Sequence, residues 1–434
     1  MTTDPVQDAA DPHPQDLDGW LRHIERAHPR SIEMGLDRVR IVRDRLGLTP
    51  DFPLLIVGGT NGKGSTCAFM EAMLVCAGYR VGCYTSPHLI RYNERVRIDR
   101  AEVSDEALCE SFAEIERARG EVPLTYFEFG TLAAVWQFQR AGVDVAVLEV
   151  GLGGRLDAVN VFDADCATVT SIGIDHVEYL GPTRESIGFE KAGIFRHGRP
   201  AVIGDPDPPA TLLAHAEAIG ARVLRAGRDF RAVDEESQWR YEGPGGLRAG
   251  LPWPALRGPV QLGNAAVAIT ALDTLRDRLP VSGGALREGL ATVELPGRFQ
   301  VLPGRPLVIL DVAHNPHAAE RLAAALGRMP CTGQTRAVFG MLGDKDIAGV
   351  AILLKPHVDR WHLAPLPGPR GVDTIRLAAA LDEAQVLDEV RQHVSLREAL
   401  IAARDDARAD DRILVFGSFL TVAAALEFLR GIGG

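Results

Sequence analysis

Short runs of largely apolar residues, separated by longer stretches of helical periodicity, constrain the fold of this chain more than any other feature. The runs Leu54–Val57, Arg80–Tyr84, Val143–Glu149 and Ala167–Ser171 mark strands of a parallel sheet buried on both faces. Between them, apolar residues recur at helical spacing over Gly64–Ala77, Asp105–Arg119 and Phe129–Ala141. Over 225–262 Pro, Gly and Trp rise and the periodicity fades, which predicts a small β-rich excursion before a helix resumes at Asn264–Leu279. After the turn Leu295–Arg298 the alternation restarts, with strands at Leu307–Val312, Arg336–Met341, Arg360–Leu363 and Ile413–Phe416. One later helix opens with a capping-box pattern, Ser395 followed by Glu398. The expected fold class is α/β in two domains. A mostly parallel sheet is expected over 19–296 and a smaller Rossmann-like α/β unit over 297–434, after an acidic, proline-rich tail over 1–18.

Bulk properties exclude several function classes. A net charge of −11 argues against general nucleic-acid binding, so any anionic ligand must meet local positive groups. Cysteines 67, 76, 83, 109, 166 and 331 form no CxxC pair and no metal-finger spacing, which fits reduced thiols. The N-terminus lacks the basic start and apolar stretch of a signal peptide, and no run approaches the roughly 20 apolar residues that cross a bilayer. A soluble, cytoplasmic chain with no membrane partner is expected. Of 47 basic residues only four are lysines, Lys63, Lys191, Lys345 and Lys355, which asks why arginine does not stand there too.

The first answer lies in Leu54–Val57 followed by Gly58-Gly59-Thr60-Asn61-Gly62-Lys63-Gly64-Ser65-Thr66 and an apolar helix. Glycines turn backbone N–H groups toward one point, the helix dipole favours negative charge there, and Lys63 supplies a mobile ammonium for terminal phosphates. The loop departs from GxxxxGK[ST]: Val57 occupies the first glycine position and Gly64 follows the lysine. This version resembles the GTNGKGS loop of the Mur ligase superfamily, in the branch of folylpolyglutamate synthase and dihydrofolate synthase.

Three further positions have the chemistry of a metal site. Ser86, in Thr85-Ser86-Pro87-His88-Leu89, stands where a strand should end, and reads either as a hydroxyl ligand or as a Ser-Pro turn. Glu149 terminates an otherwise apolar strand, where a carboxylate costs desolvation unless a cation or donors meet it. His176, just past another predicted strand, reads as a ligand or as a structural histidine. Mg²⁺ held by few protein ligands plus substrate phosphates is the pattern expected of ATP chemistry. The family resemblance implies that Ser86, Glu149 and His176 bind Mg²⁺. Glu190-Lys191-Ala192-Gly193-Ile194-Phe195 is similar to the family's EKAGI segment. There the lysine is carbamylated and ligates a second Mg²⁺, which arginine cannot readily do.

The remaining motifs follow the same resemblance. Ser31–Leu36 and Thr125-Tyr126-Phe127-Glu128 look like its folate-binding parts, with Leu156-Asp157-Ala158 completing the pocket. Tyr126 and Phe127 offer flat apolar faces for a pterin and Glu128 an acceptor for its N–H groups; as bare sequence, such a pair at a helix start reads first as core packing. Asn264 and Arg298 match nucleotide-contacting positions, alongside Thr60, Asn61, Gly62, Lys63, Gly64 and Ser65. Asp311 and His314, in Leu310–His317, are placed by the resemblance across the cleft from ATP, with Asp311 on the nucleotide and His314 on phosphate or the incoming amine. Asp344, Asp346 and Ser418 stand in C-terminal motifs as a candidate glutamate or anion site, or as a loop and a helix cap.

The resemblance implies an ATP-dependent ligase using two Mg²⁺ ions to add L-glutamate to dihydropteroate and to the γ-carboxyl of reduced folates. Lys63, Lys191, Asp311 and His314 would serve catalysis, and domain closure about Leu295–Arg298 would assemble the site. The family's two-domain members imply a monomer. A ligase with only one of the two activities, a cell-wall Mur ligase, a phosphate-loop kinase or GTPase, and a non-catalytic nucleotide-binding regulator are the competing readings.

Overall fold

The computed structural model describes residues 14–30, 32–329, 331–386 and 389–431. Its first sheet contains β1 (Leu54–Gly58), β2 (Val81–Tyr84), β3 (Val96–Ile98), β4 (Ala101–Glu102), β5 (Val145–Glu149), β6 (Cys166–Val169), β7 (Pro200–Ile203) and β8 (Arg222–Arg225). Their order is β4-β3-β2-β5-β1-β6-β7-β8, parallel from β2 to β8, with β3 and β4 added antiparallel at one edge. Side chains alternate across a strand, so β1 feeds two cores at once. Leu54 and Ile56 enter a cluster with Phe129, Leu148 and Val169. Leu55 and Val57 enter one with Phe69, Met73 and Ile269.

The helix Lys63–Cys76 covers the second face, packed against Gln261–Thr274 and Gly283–Thr292. The β-rich excursion is a three-stranded antiparallel sheet of β9 (Arg231–Glu235), β10 (Gln238–Gly243) and β11 (Gly246–Leu251). It is tied to the helix Gln261–Thr274 by a 2.9 Å hydrogen bond between the Tyr241 and Thr270 hydroxyls.

The second sheet contains β12 (Gln300–Leu302), β13 (Leu307–Asp311), β14 (Thr335–Phe339), β15 (Arg360–Leu363), β16 (Glu389–Gln392) and β17 (Arg412–Phe416). Its order is β12-β13-β17-β14-β15-β16, with only β12 antiparallel. Both sheets turn the C-terminal ends of their parallel strands toward one cleft, where ligands bind in open α/β sheets. No helix among the described residues is long and apolar enough to cross a membrane.

Several boundaries differ from the sequence expectation for identifiable reasons. The tail expected over 1–18 is shortened, because Asp16 accepts from the Gly19 N–H and opens the helix Leu17–Arg26, whose Leu17, Trp20 and Ile24 are buried. Residues 1–13 lie outside the described residues. The helix expected from Phe129 starts at Tyr126, because Thr125 and Glu128 form a reciprocal capping box. The helix expected over Asn264–Leu279 spans Gln261–Thr274. β3, β4, β8, β12 and β16 carry no long apolar run and were not anticipated, and neither was β7, a buried apolar run of Pro200–Ile203; β4, β8 and β16 are edge strands bearing charge, as exposed edges do.

Candidate active site

The phosphate loop leaves β1 through Gly58 and enters the helix at Lys63. At Gly59, φ is +144° and an added Cβ would lie 2.0 Å from the Thr170 hydroxyl, so only glycine fits. At Gly62, φ is +91° and the Asn264 amide blocks a side chain. The segment after β6 holds the loop. Thr60 N–H donates to the Ser171 carbonyl at 2.7 Å, and the Thr170 and Ser171 hydroxyls donate to the Asn61 carbonyl at 2.7 and 2.9 Å. The Lys63 ammonium donates to the Gly59 and Thr60 carbonyls, and the first N–H groups of the 14-residue helix face the cleft beside it.

Glu149 ends β5 alongside Val57 of β1 and is buried. Burial raises its pKa, opposed by Lys63, by the Ser86 N–H at 3.1 Å and by Arg298. The Ser86–Pro87 peptide bond is cis. His176 follows β6 with a left-handed φ of +51°; burial, outweighing Asp175, lowers it to about 4, so its imidazole is neutral. Lys191, on the helix Arg184–Ala192, is 4% exposed. Burial and then Lys63 lower its amine to about 7, and among the described residues its Nζ has no hydrogen-bond or ion-pair partner.

The facing wall comes from the second sheet. Asp311 ends β13, and its two oxygens accept from the Phe299 and Ala313 N–H groups, each at 2.8 Å. The His314 Nδ1 lies 2.8 Å from the Val312 carbonyl; it must donate there, which leaves the lone pair on Nε2 in the neutral ring. Burial keeps that ring neutral by lowering its pKa. The Arg298 guanidinium stacks 4.9 Å from the centre of Phe419, and Ser418 caps the helix Phe419–Arg430.

Three contacts cross the cleft at Asp175. Its carboxylate accepts from Lys345 Nζ at 2.7 Å and from the Asn315 side-chain amide at 2.9 Å, and His314 Nε2 lies 3.8 Å away. Burial acts to raise Asp175, yet the Lys345 ammonium holds it well below the usual carboxylate range. The side-chain amides of Asn61 and Asn315 add a bond at 3.2 Å.

One cavity of about 540 Å³ collects Thr60, Asn61, Gly62, Lys63, Gly64, Ser65, Ser86, Glu149, His176, Lys191, Asn264, Arg298, Asp311, His314 and Ser418. Thr125, Tyr126, Phe127, Glu128, Leu156, Asp157 and Ala158 do not line it. Glu128 is committed to the Thr125 N–H and to the Arg38 guanidinium, and Phe127 packs on Tyr84. Asp157 is pushed up to about 7 by burial and accepts from the Leu152 and Val159 N–H groups. Ser31 lies outside the described residues. Asp344 and Asp346 line a neighbouring cavity of about 810 Å³, where Asp344 pairs with Arg370 and Asp346 caps a helix.

Sequence reasoning missed Thr170, Ser171, Asp175 and Asn315. Asp175 adjoins the singled-out His176 and Asn315 the singled-out His314, the only signal available for either. No group of three or more His, Cys, Asp and Glu among the described residues is arranged to hold a metal ion. A site here therefore needs the hydroxyl, the modified lysine or substrate oxygens.

Family comparison is decisive. Residues 57–271 match the Mur ligase middle domain and residues 297–419 the Mur ligase glutamate ligase domain. The chain is 48% identical over 421 residues to the dihydrofolate synthase/folylpolyglutamate synthase of Escherichia coli (strain K12), covering 96% of this chain and 97% of that one. The structure of E. coli FolC in complex with DHPP and ADP superposes with a TM-score of 0.92 at 47% identity, covering 98% of this chain and 100% of the other. A bifunctional folylpolyglutamate synthase/dihydrofolate synthase with Mn, AMPPNP and L-glutamate bound superposes at 0.89, with 47% identity and coverage of 96% and 98%. The chain belongs to the dihydrofolate synthase/folylpolyglutamate synthase family of Mur ligases.

Proposed function

We propose that this chain joins L-glutamate in amide linkage to 7,8-dihydropteroate, and to the γ-carboxyl of reduced folates, at the expense of ATP. The observation that carries this reading is the single cavity in which the phosphate loop, Glu149, Lys191 and His176 face Asp311 and His314. The acceptor carboxylate attacks the γ-phosphorus of ATP, an O–P bond forms and ADP leaves. The glutamate amine then attacks the acyl carbon and inorganic phosphate departs.

Lys63 and the helix N-terminus stabilise charge on the transferring phosphoryl group. Thr60, Asn61, Gly62, Gly64 and Ser65 cradle the phosphates, and Asn264, Arg298 and Asp311 hold the rest of the nucleotide. The donor set suits a hard divalent cation: Glu149 is buried with one backbone donor, the Ser86 N–H, and shares the cavity with the Ser86 hydroxyl and a neutral His176. These residues would hold Mg²⁺, which supplies charge neutralisation to the phosphates. Lys191 fits a carbamate: burial lowers its unpaired amine to about 7, which favours the neutral form that attacks CO₂, making an N–C bond and releasing a proton. That anion would serve a second Mg²⁺.

His314 Nε2, with its lone pair free, takes the proton from the glutamate ammonium. Leu152 and Gly153 line the cavity beside Asp157, which supports an acceptor pocket between that turn and Tyr126. We assign the incoming glutamate to the region of Asp344, Asp346 and Ser418. We further propose that the enzyme works as a cytoplasmic monomer whose two domains close about Leu295–Arg298. The test is incubation with ATP, L-glutamate and either dihydropteroate or tetrahydrofolate. Amide formation dependent on the pterin acid is expected, and ATP turnover indifferent to both acceptors would overturn the reading.

A further inference from the structure

Arg95 lines the central cavity with Ser86 and Glu149, yet none of the steps just described uses it. It closes the turn Tyr92–Arg95 before β3, and its carbonyl accepts from Thr85 N–H at 2.9 Å, which sets it against the Ser86 segment. Its Nε donates to His88 Nδ1 at 2.8 Å. Its guanidinium carbon lies 5.3 Å from the ring centre of Tyr92 and 5.4 Å from that of Tyr126.

The half-buried cation is thus gripped by a neutral imidazole and two phenol rings, none of which balances its charge. Glu94, its chain neighbour, is committed elsewhere: Oε1 accepts from the Ile90 and Arg91 N–H groups at 2.7 and 2.8 Å, and Oε2 from Leu89 N–H at 2.7 Å. Among the described residues no carboxylate pairs with Arg95, whose two terminal NH₂ groups have no partner. A planar guanidinium with both terminal nitrogens free presents the fork that grips a carboxylate with two parallel hydrogen bonds.

Its position says which carboxylate. Arg95 lies between Tyr126, on the aromatic side, and Ser86, on the phosphate side. An acceptor with its pterin on the first side and its reacting carboxyl on the second must pass this guanidinium. Dihydropteroate has one carboxylate, and that one reacts. A folate bears an α-carboxylate a few bonds before the reacting γ-carboxyl, and this second charge needs a counter-ion if it is to approach a phosphoryl group. We propose that Arg95 binds the α-carboxylate of the acceptor's terminal glutamate, and so determines specificity for the folate reaction while contributing little to the dihydropteroate reaction. This rests on the acceptor chemistry proposed for the site.

The test compares Arg95→Gln and Arg95→Lys with the unaltered enzyme on dihydropteroate, on tetrahydrofolate, and on tetrahydrofolate whose α-carboxyl is an amide. Loss of a bidentate charged pair should raise KM for tetrahydrofolate about ten-fold or more in Arg95→Gln, and KM for dihydropteroate by no more than about three-fold. Arg95→Lys should recover part of the difference. The unaltered enzyme should disfavour the α-amide to a similar degree, and Arg95→Gln should no longer distinguish amide from acid. Equal losses on both acceptors would make Arg95 a strut for Tyr92 and Tyr126 and overturn the proposal, as would an unchanged KM for tetrahydrofolate. If Arg95→Gln does not fold, indifference of the unaltered enzyme to the α-amide overturns it instead. Failure of the unaltered enzyme to ligate glutamate to either acceptor would overturn the ligase reading itself.

Discussion

The two parallel sheets bring acidic strand ends to the same cleft in different states. Glu149, at the end of β5, is buried with a single backbone donor, and nearby Lys191 has no partner among the described residues. Asp311, at the end of β13, is half-buried, and each of its oxygens holds a backbone N–H. A buried charge without partners weakens the fold it sits in, whereas a satisfied one organises the chain around it. On the proposed reading, the first wall would meet ions and the second would keep its own shape while presenting His314.

That contrast can be broken by mutation. The largest effect is expected at Lys191→Ala, where amide formation should fall ~100-fold or more, since a residue acting only on transition-state charge is lost. Short carboxylic acids supplied in solution should restore part of it, and full activity without rescue would remove the carbamate. Glu149→Gln should also cost about 100-fold in turnover while leaving the melting temperature of the ligand-free protein unchanged or higher, because the mutation removes a buried charge with one donor. Asp311→Asn should do the reverse on stability: an amide NH₂ set against a backbone N–H costs about 1–3 kcal/mol, readable by chemical denaturation. If Glu149→Gln destabilises the protein as much as Asp311→Asn, the two walls do not differ.

The Asp175–Lys345 contact gives a pH signature. Asp175 is held below its unfolded value, so it adds stability that is fully present above about pH 4 and lost as pH falls toward its folded value. Acid unfolding followed by circular dichroism should steepen below about pH 4 in the native protein, and Asp175→Asn should flatten that part of the curve. The smallest effect belongs to Lys355→Arg. Among the described residues Lys355 Nζ donates only to the Ala384 carbonyl, at 2.9 Å, which arginine can also do, so stability should stay within about 0.5 kcal/mol.

Legibility in the sequence followed locality. The phosphate loop, Glu149 and Lys191 each break a local rule, as a glycine run, a charge ending an apolar strand, and a lysine in a chain of arginines. Such violations mark functional positions, and each stands out without knowledge of the fold. Asp175 and Lys345 become partners only when two domains meet, and no spacing reveals that. Glu128 shows the converse: its place three residues after Thr125 carries a capping signal as strong as any binding signal, and the structure commits it to the helix start and to Arg38. The charged edge strands β4, β8 and β16 escaped notice because solvent, not a core, chose their residues.

The scarcity of lysine gives this protein an unusual chemical transparency. Lys63, Lys191 and Lys345 all line the cleft, leaving Lys355 as the one side-chain amine away from it. In CO₂-free buffer, where no carbamate forms, an acylating reagent applied near neutral pH meets at Lys191 an amine lowered to about 7 by burial. On the proposed domain closure, the rate at which that nitrogen is labelled, read by mass spectrometry, would report how often the two halves part, and each substrate could be scored by how far it slows the labelling.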